Sequence, residues 1–147
     1  METTPLIIER TYDAPVHKVW RAITNKEDMK QWYFDLQEFR PEIGFEFTFT
    51  GCAEEREYLH LCKVTEVVEG KRIAYSWKYD NYPGMSYVSF DLKEMGNKTH
   101  LTLTHRGLET FPQDIPDFAK QCFAEGWQYF IEVGLKNYLE STQVLQE

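Results

Sequence analysis

Residues 112–140 read PQDIPDFAKQCFAEGWQYFIEVGLKNYLE, and this stretch decides the fold. At 3.6 residues per turn, its polar side chains fall on one narrow stripe: Asp117, Gln121, Glu125, Gln128 and Glu132. The opposite side is apolar: Ala119, Cys122, Phe123, Gly126, Trp127, Phe130, Val133 and Gly134. An unbroken helix from Pro116 to Ser141 is about 39 Å long, enough to cross a small domain. We therefore predict a long C-terminal helix whose apolar side faces the core.

Two glycines stand out on the predicted buried side of this helix. Gly126 and Gly134 lie two turns apart, and each costs about 1 kcal/mol relative to alanine in a helix interior. Phe123, Trp127 and Phe130 share the same region. Glycines beside large aromatic side chains indicate either close packing against another element or space left open. The region beneath this helix is therefore the first place to look for a site.

Composition limits the classes of protein to consider. A length of 147 residues predicts one domain, residues 1–147. The net charge of −8, with no run of Lys or Arg, argues against binding to nucleic acid or to an anionic membrane surface. The first ten residues do not resemble a signal peptide, and no apolar run approaches the ~20 residues of a membrane span. Three cysteines without CxxC spacing (Cys52, Cys62 and Cys122) fit reduced thiols, so we expect a cytoplasmic protein.

The rest of the chain alternates between helical and strand periodicity. Pro5–Thr11 is a predicted strand, and two short helices follow, the first starting at Asp13 and Pro15 and the second ending near Trp32. Asn25 either ends the first helix or caps the second. Phe45, Phe47 and Phe49 alternate with polar residues, which is typical of a half-buried strand. A polar turn is predicted over 51–57. Four more strands follow it: Tyr58–Val68, Ile73–Tyr79, Ser86–Leu92 and Thr99–His105. The pattern predicts an α+β fold in which a curved antiparallel sheet wraps around the C-terminal helix, with the two short helices after strand 1.

Motifs for catalysis or metal binding are missing from the sequence. It contains no Gly-rich phosphate loop, no GxSxG and no HExxH. His60 and Cys62 share one face of a strand, but this spacing is unspecific for a metal. His105 lies at a predicted strand end, where we expect a capping or sheet-edge hydrogen bond or, alternatively, contact with the mouth of a cavity. We therefore predict no metal, no cofactor and no enzymatic activity.

The aromatic lining is the one remaining constellation, and it indicates either a plain core or an apolar pocket. In the pocket interpretation, Gly126 supplies room, and Trp32 and Tyr79 lie near the entrance. The predicted walls are Phe45, Phe47, Phe49, Trp77, Phe90, Phe123 and Phe130.

Several motifs, in order, resemble a known superfamily. The opening ERTYDAPVHKVWRA (residues 9–22) has the R-x-Y-x-A-P-x-x-x-V-W-x-A pattern. It is followed by Trp32, by Tyr75-Ser76-Trp77, by a T-x-L-x-L-x-H strand (residues 99–105) and by Gly126-Trp127. Together these are similar to the START-related helix-grip superfamily, also called SRPBCC, and in particular to its branch named for activators of heat-shock protein 90 ATPase. The resemblance spans about residues 6–141.

The resemblance implies a strand, two small helices, six more strands and a long helix held by the sheet. Between helix and sheet, this superfamily commonly holds lipids, sterols, polyketides or other apolar molecules, and its members range from carriers to cyclases. Three hypotheses follow: a binding protein for a hydrophobic small molecule, lipid-like or aromatic; a stress-response or chaperone-regulating interaction protein; and an enzyme acting on an apolar substrate. The sequence leaves the oligomeric state open.

Overall fold

The computed structural model describes residues 5–33, 38–53, 56–112, 114, 115, 118 and 120–145. These residues form six strands, four α-helices, one π-helical segment and a short 3₁₀ turn. The strands are β1 (Leu6–Tyr12), β2 (Glu46–Ala53), β3 (Arg56–Val68), β4 (Arg72–Tyr79), β5 (Ser86–Met95) and β6 (Lys98–Arg106). The helices are α1 (Val16–Thr24), α2 (Lys26–Trp32), α3 (Lys120–Gln128) and α4 (Leu135–Leu145), with the π-helical turn Tyr129–Gly134 between the last two and the 3₁₀ turn at Leu108–Thr110.

All six strands form one antiparallel sheet in the order β1-β6-β5-β4-β3-β2. The sheet is curved, and its inner side chains face the C-terminal helix, by which we mean residues 120–145. The predicted α+β helix-grip fold, with two short helices after β1, is therefore confirmed. The resemblance implied seven strands, whereas the described residues form six.

The hairpin between β2 and β3 is tighter than the sequence predicted. Gly51 pairs with Tyr58 and Ala53 with Arg56, so the ladder continues through most of the predicted 51–57 turn. The polar side chains of this stretch suggested a loop, but backbone pairing between two long neighbouring strands decides the structure here. The prediction of a seven-residue turn was wrong.

Asn25 joins the two short helices and has both of the roles considered for it. Its backbone N–H bonds the carbonyl of Arg21 and closes α1, while its side chain accepts from the amides of Glu27 and Asp28 and caps α2. The indole N–H of Trp32, in the last turn of α2, donates to the carbonyl of Ala22 at 2.8 Å. This bond fixes the two helices as one corner at the end of the sheet.

The C-terminal helix departs from the predicted regular helix at its centre. Its buried side chains recur every four residues: Phe123, Trp127, Ile131, Leu135 and Leu139. In a regular α-helix, four-residue steps drift by about 40° each, so this stripe would leave the sheet within a few turns. The π-helical turn Tyr129–Gly134 has more residues per turn than an α-helix, so it reverses part of this drift and returns the stripe to the sheet. The hydroxyl of Tyr12 donates to the carbonyl of Ile131 within this turn.

The π-helical turn corrects the predicted apolar face. Within the turn, Val133 was assigned to the buried side but is exposed, while Ile131 is buried. Cys122 and Gly126 precede the turn and are exposed as well, because the buried stripe of α3 is limited to Phe123 and Trp127. The 3.6-residue period holds only up to Trp127, because the extra residue shifts the stripe by one position afterwards. Among the described residues, no helix is both long and apolar enough to cross a membrane.

Candidate functional site

A continuous set of aromatic rings lies between the inner face of the sheet and the C-terminal helix. We call it the aromatic layer: Trp32, Tyr33, Phe47, Phe49, Tyr75, Trp77, Phe90, Trp127 and Phe130. Neighbouring ring centroids are 4.9–6.4 Å apart, within the usual range for aromatic pairs. Alternation along β2 and β4 explains the sheet side of the layer, since every second residue points inward. Six predicted wall or entrance residues meet here: Trp32, Phe47, Phe49, Trp77, Phe90 and Phe130.

Trp32 and Tyr33 belong neither to the sheet nor to the C-terminal helix, and Tyr33 lies against rings of both. It follows α2 directly, and its ring stacks on Trp127 at 5.8 Å and meets Phe130 edge-on at 5.1 Å. On the sheet side it lies 6.3 Å from Phe49. Tyr33 and Phe130 are only partly buried as residues, so the layer comes nearest to the surface here, although the Tyr33 hydroxyl lies in the interior.

The polar groups of the layer are hydroxyls. The Oη atoms of Tyr33 and Tyr75 are 2.9 Å apart, and the indole N–H of Trp77 donates to the hydroxyl of Tyr79 at 3.0 Å. Burial, reinforced by Tyr75, raises the pKa of the Tyr33 hydroxyl well above its ordinary value. Burial likewise raises the pKa of the Tyr75 and Tyr79 hydroxyls. These groups therefore remain neutral and act as hydrogen-bond donors and acceptors in an apolar surrounding.

The remaining predicted site residues lie at the margins of the layer or outside it. Tyr79 and Phe123 belong to a second ring cluster, in which Tyr79 stacks on Phe118 at 4.7 Å and Phe123 stacks on Phe111 at 6.0 Å. Phe45 is half-buried and packs beside the layer.

Gly126 does not supply room beneath the helix. It is exposed, and a Cβ built on it meets nothing within 4 Å. Gly134, in contrast, lies against α2, where a Cβ would be 3.2 Å from the carbonyl oxygen of Trp32. The prediction that Gly126 faces the core was wrong, because Phe123 and Trp127 alone carry the buried face of α3.

His105 is fully buried beside the aromatic layer, so the predicted sheet-edge position was wrong. The indole N–H of Trp127 donates to His105 Nδ1 at 3.0 Å, so the neutral ring carries its proton on Nε2. Nε2–H then donates to Ser86 Oγ at 2.8 Å, and the Ser86 hydroxyl donates to the carbonyl of Trp77 at 3.0 Å. Burial lowers the pKa of His105 to about 3.

The direction of these bonds decides the chemistry of the Ser86–His105 pair. A nucleophilic serine gives its proton to the histidine, whereas here the histidine donates to the serine, and the serine donates to a backbone carbonyl. The pair fixes the indole of Trp127 against the sheet. It is a positioning device for the wall of the aromatic layer.

His60 and Cys62 share the inner face of β3, as predicted, and both are buried. His60 donates from Nδ1 to the carbonyl of Tyr58 at 3.0 Å, and its ring stacks on Phe49 at 4.4 Å. Burial lowers the pKa of His60 to about 4, opposed by the backbone carbonyls of Tyr58 and Phe49, and burial raises the pKa of the Cys62 thiol. Over the part of the chain that the structure describes, no three His, Cys, Asp or Glu side chains form a metal-binding group.

An open groove of about 500 Å³ lies outside the layer, at the corner of α1 and α2, with Trp20 and Phe39 among its lining residues. Charged side chains on its walls form ion pairs, Arg21 with Asp28 at 3.4 Å and Arg40 with Glu38 at 3.0 Å. The groove is shallow and polar compared with the layer.

Sequence reasoning missed Tyr33, Tyr75 and Trp127 as members of the site. The available signal was the run Trp32-Tyr33-Phe34 directly after α2, since an aromatic run at a helix end needs a core to pack into. Tyr75 and Trp127 were assigned to inward faces but not to the pocket.

Comparison with known proteins gives one family and many similar folds. The family model described as "Activator of Hsp90 ATPase homolog 1-like protein" matches residues 13–140. No curated protein matches the chain. Among solved structures, Mll3558 from Rhizobium loti is similar with a TM-score of 0.80 and 21% identity, over 94% of this chain and 98% of that one. MLL2253 from Mesorhizobium loti has a TM-score of 0.74 and 24% identity, over 95% and 98%. DynU16, from the dynemicin biosynthetic locus, has a TM-score of 0.74 and 21% identity, over 94% of this chain and 48% of that one. At these identities the likeness shows the fold.

Proposed function

The chain belongs to the family of activator of Hsp90 ATPase homolog 1-like proteins, and from this premise we propose that it is a single-domain binding protein for an apolar, aromatic small molecule. The ligand lies in the aromatic layer, between the sheet and the C-terminal helix. The family and the fold fit a small ligand-binding domain. The proposal adds the place and the chemical class of the ligand.

One observation carries this proposal: the interior between sheet and helix is lined by aromatic rings, and two of them, Trp32 and Tyr33, are supplied from outside both walls. A plain core is formed by the side chains of the two layers that pack together. Here these two additional rings lie between them, and the layer comes nearest to the surface at Tyr33 and Phe130. Ligand pockets share these properties, being mostly apolar with a few placed polar groups, which in this case are the hydroxyls of Tyr33 and Tyr75.

The test is an NMR titration of ¹⁵N-labelled protein with three separate probes: oleate, cholesterol and 2-naphthol. The indole N–H of Trp127 is the reporter, because it lies in the layer and is held by His105. We expect saturable shifts of this signal with 2-naphthol, and a weaker affinity in Phe130→Ala, which removes a ring at the surface end of the layer. Gly126→Ala, on the exposed side of the same helix, is the matched control and should bind like the wild type.

If no probe moves the Trp127 signal up to its solubility limit, the aromatic layer is a filled core and the proposal fails. Shifts confined to the outer face of the sheet would also contradict it.

A second candidate follows from the family description, which names a chaperone activator. The outer face of the sheet exposes large apolar side chains, among them Ile7 (51%) and Tyr87 (49%), and such side chains favour contact with another protein. In this function the protein regulates a chaperone, and the layer is only a core. Crosslinking of the purified protein to a heat-shock protein 90 from the same source, with Ile7→Ser and Tyr87→Ser as variants, separates the two candidates.

A further inference from the structure

The ring of Tyr33 occupies the space where a ligand of the aromatic layer belongs. Its faces and edges are in contact with Trp127 at 5.8 Å, Trp32 at 4.9 Å and Phe130 at 5.1 Å. Its hydroxyl is 2.9 Å from the hydroxyl of Tyr75 on β4. The side chain thus fills a slot with aromatic walls and one hydrogen-bonding group at its sheet end. This combination is complementary to a phenol.

The walls of this slot are held independently of Tyr33. The indole of Trp127 is fixed by His105, and that of Trp32 by the carbonyl of Ala22. Tyr75 lies in the middle of the sheet, where β4 pairs with β3 and β5 on both sides. We therefore expect the slot to keep its shape when the ring of Tyr33 is removed.

Tyr33 itself is attached to the edge of this frame. It is the residue at which α2 ends, and its backbone has left the helical conformation (φ −123°, ψ −130°). It is partly exposed, whereas Trp32, Tyr75 and Trp127 are buried. Replacing its ring by another one changes the end of a short helix and leaves the sheet and the C-terminal helix in place.

We infer that Tyr33 is a built-in occupant of the binding site, and that the ligand is a small molecule carrying a phenol ring that takes the place of the Tyr33 ring. The ligand's ring stacks on Trp127, and its hydroxyl bonds the hydroxyl of Tyr75. This inference rests on the proposed function and adds the group that the ligand must present.

The first experiment removes the occupant and supplies it from solution. Tyr33→Ala is titrated with p-cresol, which is the tyrosine side chain, and with toluene, which lacks only the hydroxyl. We expect p-cresol to raise the melting temperature of Tyr33→Ala, to shift the Trp127 indole signal, and to bind about tenfold more tightly than toluene, because one buried hydrogen bond corresponds to about that factor. In Tyr33→Ala combined with Tyr75→Phe, this preference should disappear.

Tyr87→Ala is the matched control, since it removes a tyrosine ring from the outer face of the sheet and opens no slot. It should gain no stability from p-cresol. Tyr33→Phe covers the case in which Tyr33→Ala does not fold: it keeps the ring and gives up only the bond to Tyr75. We expect it to bind 2-naphthol up to about tenfold more tightly than the wild type, because the built-in occupant is then held less firmly.

The second experiment uses the wild-type protein with 2-naphthol and naphthalene, which differ only in the hydroxyl. The expected result is tighter binding of 2-naphthol, with ring signals of Tyr33 moving to the positions of an exposed tyrosine. Equal affinities of the two compounds, or binding with Tyr33 unchanged, overturn the inference while leaving the proposed function standing. If p-cresol rescues Tyr33→Ala but no probe binds the wild type, Tyr33 is a fixed core residue, and both the inference and the proposed function fail.

Discussion

Two buried histidines should make this protein sensitive to mild acid. His60 and His105 are neutral in the folded protein, with pKa values of about 4 and about 3, lowered by burial from an ordinary 6.5. The unfolded chain binds protons at both sites below pH 6.5, and the folded protein does not. Their contribution to stability is therefore fully present above pH 6.5 and is lost progressively as the pH falls towards the folded values.

The size of the effect follows from the difference between the folded and unfolded pKa values. One unit corresponds to about 1.4 kcal/mol, so lowering the pH from 7 to 5 costs roughly 2 kcal/mol for each histidine. Together they remove about 4 kcal/mol, a large part of the 5–15 kcal/mol by which a domain is usually stable. With a urea m-value of about 2 kcal/mol/M, the unfolding midpoint should fall by about 2 M.

Urea unfolding followed by far-UV circular dichroism at pH 7, 6 and 5 measures this difference. His105→Gln should lower stability at pH 7, because Trp127 and Ser86 lose their partner, but it should show only about half of the wild-type loss between pH 7 and 5. His17→Gln, at an exposed position of α1, is the control for losing an imidazole and should keep the full loss. Identical wild-type midpoints at pH 7 and 5, or an imidazolium signal for His105 in folded protein at pH 5, would refute the reasoning.

The C-terminal helix provides two more predictions. Gly126→Ala should stabilise the protein by about 0.5–1 kcal/mol, since the methyl group meets open space. Gly134→Ala should not show this gain, because its methyl group presses on the carbonyl of Trp32. Equal shifts in melting temperature for the two variants would contradict the close contact at Gly134. Tyr12→Phe should cost about 1 kcal/mol in urea unfolding, because it removes the buried hydrogen bond to the carbonyl of Ile131. Hydrogen exchange of the amides of the π-helical turn should become faster, and unchanged exchange would show that Tyr12 does not hold the turn.

Most of the sheet could be predicted from the sequence, because its inner positions are mostly large and apolar and its outer positions mostly polar. Phe47 and Phe49 on β2, and Tyr75 and Trp77 on β4, repeat every second residue, and this period is specific to strands. Short turns between the strands then require an antiparallel order. The error at residues 51–57 arose because a polar hairpin end can be paired as completely as an apolar one.

His105 shows what the local pattern could not give. The sequence places it near the end of its strand, which suggested the edge of the sheet. The observed order β1-β6-β5 puts β6 between two neighbours, with Leu6 on one side of His105 and Val88 on the other. The end of a strand lies inside the sheet when another strand pairs with it on each side. Here one of these strands is β1, which lies about a hundred residues from His105 in the chain.

The π-helical turn could not be predicted for a similar reason. Nothing in residues 129–134 distinguishes them from a regular α-helix, and the partner of the Ile131 carbonyl is Tyr12, near the other end of the chain. The 3.6-residue period was therefore continued through the π-helical turn, where the buried positions no longer follow it. Gly126 precedes the turn and was assigned to the core because the predicted apolar arc was wider than the buried stripe of Phe123 and Trp127, so the open space that it suggested was sought at the wrong residue.

Exchange of the Tyr33 ring for a ligand would make the end of α2, rather than a helix glycine, the adjustable element. Gly134 allows the C-terminal helix to approach the carbonyl of Trp32, and His105 holds Trp127 against the sheet. These two contacts fix the helix on either side of the Tyr33 ring. We expect such an exchange to leave helix and sheet together, so a ligand that replaces Tyr33 should alter signals near residue 33 and leave those of β5 and β6 unchanged.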